Sequence, residues 1–259
     1  MPVHADLHVH TTVSDGSLAP EAVPAAARDA GLSVVAITDH DRFNPALSAP
    51  VTEHDGVTVI HGVELRVSAA TGNLDLLGYG VRRTDALAAE LDRLQENRVE
   101  RARSMVACVE DRLDVDLPVS LEPGVGRPHI ARAIADAHPD YDVQAAFDSL
   151  LGEDCPCYVA RDVPTFDRGA RLLRESCALV GLAHPLRYPD PAAALSRAAS
   201  LDAVERYYPY GGDPSPDPVE RAVAAHDLVP TGGSDAHGET LGAAGLDRDA
   251  YERVAERLP

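Results

Sequence analysis

The chain contains no lysine, so arginine carries all of its basic side-chain charge. It also lacks any apolar run of about 18 residues, the length a membrane-spanning helix needs, which excludes such a span. Cysteine is scarce, at four residues in 259. Of these, Cys155-Pro156-Cys157 lacks the two-residue spacer of a zinc knuckle or redox motif, which argues against metal ligation or redox work by cysteine. The chain opens on a strand-like segment without the basic and then apolar stretch of a signal peptide, which reads as a cytoplasmic protein, where free thiols are the default. Cations are outnumbered, 23 basic against 42 acidic residues, for a formal charge of -19. That balance argues against a stable complex with long nucleic acid, where phosphate neutralisation supplies most of the affinity. It leaves room for a small nucleotide, or an RNA end, held by a few arginines. An acidic chain without lysine reads as salt-adapted, from a halophile, against the plainer reading of a mesophilic protein from a GC-rich genome.

What the chain does have is histidine next to carboxylate, repeatedly, at the ends of apolar runs. His8 and His10 are two apart in Asp6-Leu7-His8-Val9-His10-Thr11, which places both imidazoles on one side of a strand. Asp15 follows, then Thr38-Asp39-His40-Asp41, Gly62-Val63-Glu64, Ala183-His184-Pro185 and Ser234-Asp235-Ala236-His237. This is a pattern of metal ligands rather than of core residues. His4, His54, His61, His138 and His226 have no second ligand at metal spacing and read as surface or structural residues.

Strand and helix signals alternate around these clusters. Residues 3–9, 32–38, 57–60 and 75–80 read as strands, and Pro20 to Ala30 as a helix stopped by Gly31. The pattern changes at 84–155. There Leu87, Leu91, Leu94, Ala102, Val106, Val109 and Leu113 form one helical stripe over 85–113, a second helix starts at Pro128, and a third runs over 142–151 to Gly152. Alternation resumes at Leu179 to Ala183, Ala203 to Glu205 and Val229. Alternation of this kind implies a parallel sheet with crossover helices, with every candidate ligand at a strand's C-terminal end, the face that carries the site in a βα barrel.

Taken together and in order, Asp6-Leu7-His8-Val9-His10-Thr11, Ser14-Asp15-Gly16, Ile37-Thr38-Asp39-His40-Asp41, Gly62-Val63-Glu64-Leu65, Leu182-Ala183-His184-Pro185 and Gly233-Ser234-Asp235-Ala236-His237 resemble the PHP family, named for polymerase and histidinol phosphatase. The resemblance implies an α/β fold, a distorted (β/α)7 barrel over 1–83 and 156–259 with a small helical insertion over 84–155. Gly126-Arg127-Pro128-His129-Ile130-Ala131-Arg132 is similar to the inserted-domain signature of one branch, whose members hydrolyse nucleoside 3′,5′-bisphosphates or trim RNA 5′ ends. The resemblance implies two or three divalent ions. The first would be held by His8, His10, Glu64 and Asp235, with Glu64 bridging to a second held by position 75 and His184, and the third by Asp15, His40 and His237. It assigns catalysis to Glu64, Asp235 and His237. Position 75 departs from the family, with Asp75 where a histidine is usual.

The mixed imidazole and carboxylate set suits Mn²⁺ best, with Zn²⁺ or Fe²⁺ as alternatives, over an all-oxygen Mg²⁺ site. Clustered divalent ions suit phosphate-ester hydrolysis. Arg127 and His129 flank Pro128 at a helix start, where free N–H groups favour an anion, and are read as binding a substrate phosphate. Arg98 and Arg101 either extend that patch or form a solvated helix face. Asp39 and Asp41 are read as orienting ligands, with a helix cap as the alternative for Asp41, Asp6 either orients His8 or caps a turn, and Tyr207, Tyr208 and Tyr210 either line the pocket or pack the loop. The expected activity is a phosphoesterase acting on phosphorylated nucleosides or short RNA 5′ ends. The alternatives are a histidinol-phosphatase-like enzyme and a non-catalytic PHP module.

Overall fold

The structure is a computed structural model that describes residues 2–212 and 214–259. The backbone divides into two compact units, Met1–Ala89 with Val163–Pro259, and Glu90–Asp162.

The first unit is a curled mixed sheet with helices outside it. Its strands are β1 (Ala5–Val9), β2 (Val34–Ile37), β3 (Val51–His54), β4 (Val57–Ala69), β5 (Gly72–Tyr79), β6 (Leu179–Leu182), β7 (Ala203–Tyr207) and β8 (Val229–Gly232). They lie in the order β1-β2-β4-β5-β6-β7-β8, with β3 paired to β4 alone. The two ends of the sheet approach at a parallel bridge between Val9 and Ala236. The helices of this unit are α1 (Val23–Asp29), α5 (Phe166–Ser176), α6 (Pro191–Ala198), α7 (Asp217–His226) and α8 (Arg248–Ala255). β2 is buried on both faces, which explains its unbroken apolar run. Val34 and Ala36 join a core with Leu7, Ile60, Leu77 and Ala203, while Val35 and Ile37 pack with Val23 and Ala27 of α1.

The expectation of a parallel sheet is corrected in part, for the sheet is mixed. β5 runs antiparallel to both β4 and β6, and β3 is antiparallel to β4. Only Ala70 and Thr71 separate β4 from β5, too short a link for a crossover, so the chain turns straight back. The same hairpin moves two candidate ligands off the strand ends. Glu64 lies in the middle of the 13-residue β4, and Asp75 in the first half of β5.

The second unit is helical. It holds all but the first turn of α2 (Asp85–Leu113), together with α3 (Arg127–Ala137) and α4 (Val143–Ala146), the last continuing as a π-type turn over Phe147–Leu151. Met105, Val109, Ile130, Ile134 and Leu151 form its core. The expectation of free thiols is corrected here too. Cys108 on α2 and Cys157 form a disulfide with a Cα–Cα distance of 5.5 Å, leaving Cys155 and Cys177 free. Their 49-residue separation leaves no local signal of the pairing.

Candidate metal centre

His8 and His10 project from the end of β1, and two loops are fastened against them. Asp6 accepts hydrogen bonds from Ser234 N (2.8 Å), Ser234 Oγ (2.5 Å) and Gly242 N (2.8 Å), which fixes the segment after β8. Gly233 lets that segment approach, since a Cβ there would sit 2.4 Å from His8 N. Asp235 follows in a left-handed conformation (φ 52°). On the other side Asp39 accepts from Thr11 N (2.9 Å), Thr11 Oγ1 (2.8 Å), Ser14 Oγ (2.7 Å) and Asn44 Nδ2 (2.9 Å). That buried network pins the turn bearing Asp15 beside His40. Asp6 and Asp39 are thus positioning residues, and Asp41 accepts from Arg66 N (3.0 Å).

Glu64 stands at the centre. Its Oε2 is 2.8 Å from His40 Nδ1, 3.3 Å from His10 Nε2 and 3.4 Å from His8 Nε2, and its Oε1 is 3.2 Å from His184 Nε2. Asp235 Oδ1 lies 3.1 Å from His10 Nε2, and Asp15 Oδ1 lies 3.3 Å from His237 Nε2. Three sets of side chains bring one donor atom each within 4.8 Å of one another: His8, His10, Glu64 and Asp235; His10, Asp15, His40 and His237; and Glu64, Asp75 and His184. All nine sequence-derived ligands therefore converge, and His10 joins the set for which only Asp15, His40 and His237 are expected.

The donor chemistry fits divalent ions. His8 Nε2, His10 Nε2 and Asp15 Oδ1 are buried without a well-formed hydrogen bond, a costly state unless a cation answers them. Without an ion, protons take that role. Burial opposes charge on His10, yet Asp235 and Glu64 raise its pKa to about 10. His8 is likewise pushed well up against its burial by Glu205, Asp235 and Glu64. In turn, His40, His8, His10 and His184 hold the Glu64 carboxyl far below the usual range despite burial, and His8 and His10 do the same for Asp235.

Three residues that matter here were not read as site residues from the sequence. Glu205, fully buried at 0 % exposure, accepts from His8 Nδ1 (3.0 Å) and from the backbone N–H of His184 (2.7 Å). The first bond leaves His8 Nε2 as the free donor, the usual carboxylate–histidine–metal arrangement. The second holds His184 in an uncommon backbone conformation, φ 28° and ψ 57°. Glu205 lies mid-strand in the five-residue β7, so no strand-end placement marked it in the sequence. Arg66 makes a bidentate pair with Asp75, Nε to Oδ1 at 2.8 Å and Nη2 to Oδ2 at 2.7 Å. The two are direct cross-strand partners, and Arg66 lies two residues from Glu64 on the same strand face. Arg187 is the third, bound to Asp235 Oδ2 at 3.0 Å. Tyr208 also donates to Asp235 Oδ2 (2.9 Å), and Tyr210 accepts from Leu186 N (3.3 Å), whereas Tyr207 is exposed.

Arg127 and His129 lie in the helical unit, at the first turn of α3. His129 Nδ1 accepts the Gly126 N–H (3.1 Å), so its ring caps the helix. Arg127 donates to Leu151 O (3.3 Å) and lies over the rings of Phe147 and Tyr158. Arg98 and Arg101 are buried rather than a solvated face. Burial, with the neighbouring charges of Arg127, Arg161 and Arg98, lowers the pKa of Arg101 to about 9. Positive charge is thus concentrated inside this unit.

A family model described as the PHP domain matches residues 6–117, the stretch that carries His8, His10, Asp15, His40, Glu64 and Asp75. The chain is 31% identical over 251 residues, 90% of its length and 94% of the relative's, to phosphoribosyl 1,2-cyclic phosphate 1,2-diphosphodiesterase of Eggerthella lenta. The chain belongs to the PHP family. It is also 30% identical over 191 residues (71% of this chain, 67% of the relative) to 3′,5′-nucleoside bisphosphate phosphatase of Chromobacterium violaceum. With the 5′-3′ exoribonuclease Rnm of Escherichia coli it shares 28% over 257 residues (90% and 84%). Each of these three relatives is named for an enzyme that acts on a phosphate ester. No helix among the described residues is long and apolar enough to cross a membrane.

Proposed function

We propose that this PHP protein is a metal-dependent hydrolase of phosphate esters whose substrates are phosphorylated nucleosides or RNA 5′ ends. The observation that carries the reading is the ring of imidazoles and carboxylates around Glu64, with buried nitrogen donors left unsatisfied by the protein. One ion belongs to His8, His10, Glu64 and Asp235, and another to His10, Asp15, His40 and His237. Mn²⁺ suits this donor set best. Bound divalent ions supply Lewis acidity toward phosphoryl oxygens. His10 belongs to both sets, and Glu64, a member of the first, places its Oε2 2.8 Å from His40 Nδ1 of the second. Asp235 turns Oδ1 to the imidazoles while its Oδ2 is held from behind. His237 donates Nδ1–H to the Asp235 carbonyl (2.9 Å), which leaves Nε2 facing Asp15, and its 35% exposure lets it meet substrate and exchange protons. Arg127 and His129, supported by Arg98 and Arg101, bind a substrate phosphate.

The third set is different, because its cation is already supplied. The Arg66 guanidinium occupies both oxygens of Asp75, the side chain that replaces the family's histidine. Two ions per chain, not three, follow from that pairing. The test is metal analysis of Mn²⁺-loaded protein after dialysis, together with phosphate-ester hydrolysis at molar salt. Two ions per chain and turnover of a nucleoside 3′,5′-bisphosphate or a 5′-phosphorylated oligoribonucleotide are expected. Three tightly held ions contradict the Arg66 pairing. Preference for a cyclic phosphodiester or histidinol phosphate contradicts the substrate class.

A further inference from the structure

Arg187 closes the short turn that begins at Pro185, three residues after the candidate ligand His184. Its Nη1 donates to Asp235 Oδ2 (3.0 Å) and to Tyr208 Oη (2.8 Å). Tyr208 passes its own proton to the same Asp235 oxygen (2.9 Å), so the three side chains form a closed triangle. A long, flexible side chain is thereby held in one place beside a metal-binding carboxylate. Only Nη1 is used. The Nε and Nη2 groups, which form the side-on fork of a guanidinium, make no hydrogen bond to the described residues, and the side chain is 53% exposed. Arg66, the other arginine paired with a carboxylate of the centre, has that same fork closed on Asp75. The Nε–Nη2 fork matches two oxygens of a phosphoryl group.

We propose that Arg187 is a phosphate-binding, specificity-determining residue of the sheet unit, anchored through Nη1 and offering its Nε–Nη2 fork to the phosphoryl oxygens of the ester being cleaved. The proposal rests on the phosphate-ester reading above. It gives the reacting phosphoryl group a cation of its own, separate from the arginines of the helical unit. In a chain with a net charge of -19, an anionic substrate needs such a local positive feature. Tyr208 and Asp235 hold the guanidinium ready, so that little ordering is left for the moment of binding.

The experiment titrates inorganic phosphate into Mn²⁺-loaded wild type, Arg187→Ala and Arg187→Lys by calorimetry. Metal content and thermal unfolding are measured on the same samples. The expected result is unchanged metal in all three, phosphate binding at least tenfold weaker in the alanine variant, and an intermediate value for lysine, which restores charge without the fork. KM for a phosphate ester should rise by a factor similar to the loss in phosphate binding, with a smaller change in kcat. Phosphate affinity within twofold of wild type in the alanine variant overturns the proposal. So does loss of metal with undiminished phosphate binding at the sites still loaded, which would make Arg187 only a support for Asp235. Absence of turnover by wild type on every phosphate ester would instead count against the enzymatic reading, while the phosphate titration still decides Arg187.

Discussion

Glu205→Gln removes one charge and little volume from a fully buried position. Glu205 takes a hydrogen bond on each oxygen, from His8 Nδ1 at 3.0 Å and from His184 N at 2.7 Å. Glutamine has one carbonyl oxygen to offer and an amide nitrogen that only donates. One of the two N–H groups must therefore go unanswered in a site closed to water. The loss of a hydrogen bond to a charged acceptor costs ~1.5–3 kcal/mol. At ~1.4 kcal/mol per decade this is about 10- to 100-fold in affinity, the range found when outer partners of metal ligands are removed. Loss of the charge also lowers the proton affinity of His8, which works in the opposite direction and shrinks the defect at low pH. Calorimetric titration of Mn²⁺ into metal-free wild type and variant, at pH 7 and pH 9, measures both effects. The variant should bind about 10- to 100-fold more weakly at pH 9 and with a smaller deficit at pH 7. Affinity within twofold of wild type at both pH values would refute the role given to Glu205.

Two further predictions follow from the same geometry. In the metal-free protein the pKa of His10 is raised to about 10, and that of His8 is raised as well. Groups with raised pKa values keep their protons until pH passes the folded value, so their pairing contributes stability that is complete below an ordinary histidine pKa of ~6.5 and lost as pH rises toward 10. Over that window a divalent ion must displace protons. Calorimetry in buffers of different ionisation enthalpy should detect proton release and an affinity that rises with pH, and pH-independent binding without release would contradict this. Thiol titration of unreduced, denatured protein should count two thiols, Cys155 and Cys177, and four after reduction. Four before reduction would contradict the Cys108–Cys157 disulfide.

Local chemistry made much of this molecule readable in its sequence. His8 and His10 at spacing two, and the clusters ending at His40, His184 and His237, each carry a strand-end signature within a few residues. The helix over 85–113 was readable from its apolar stripe, and α2 spans Asp85–Leu113. What escaped depends on pairing between distant segments. The direction of β5 is set by the two-residue turn between it and β4. Arg66 acquires its meaning only from its register opposite Asp75. Cys108 and Cys157 meet through the fold of the helical unit, and Glu205 and Arg187 look like ordinary surface-capable charges until the sheet closes around His8 and Asp235.

The central claim is that Glu64 organises two ions for phosphate-ester hydrolysis. It is tested most directly by comparing turnover of a nucleoside 3′,5′-bisphosphate by Mn²⁺-loaded wild type and Glu64→Gln, with bound metal measured in the same samples. The expected result is phosphate release by wild type, and collapse of kcat with loss of bound metal in the variant. Near wild-type kcat in Glu64→Gln would contradict it.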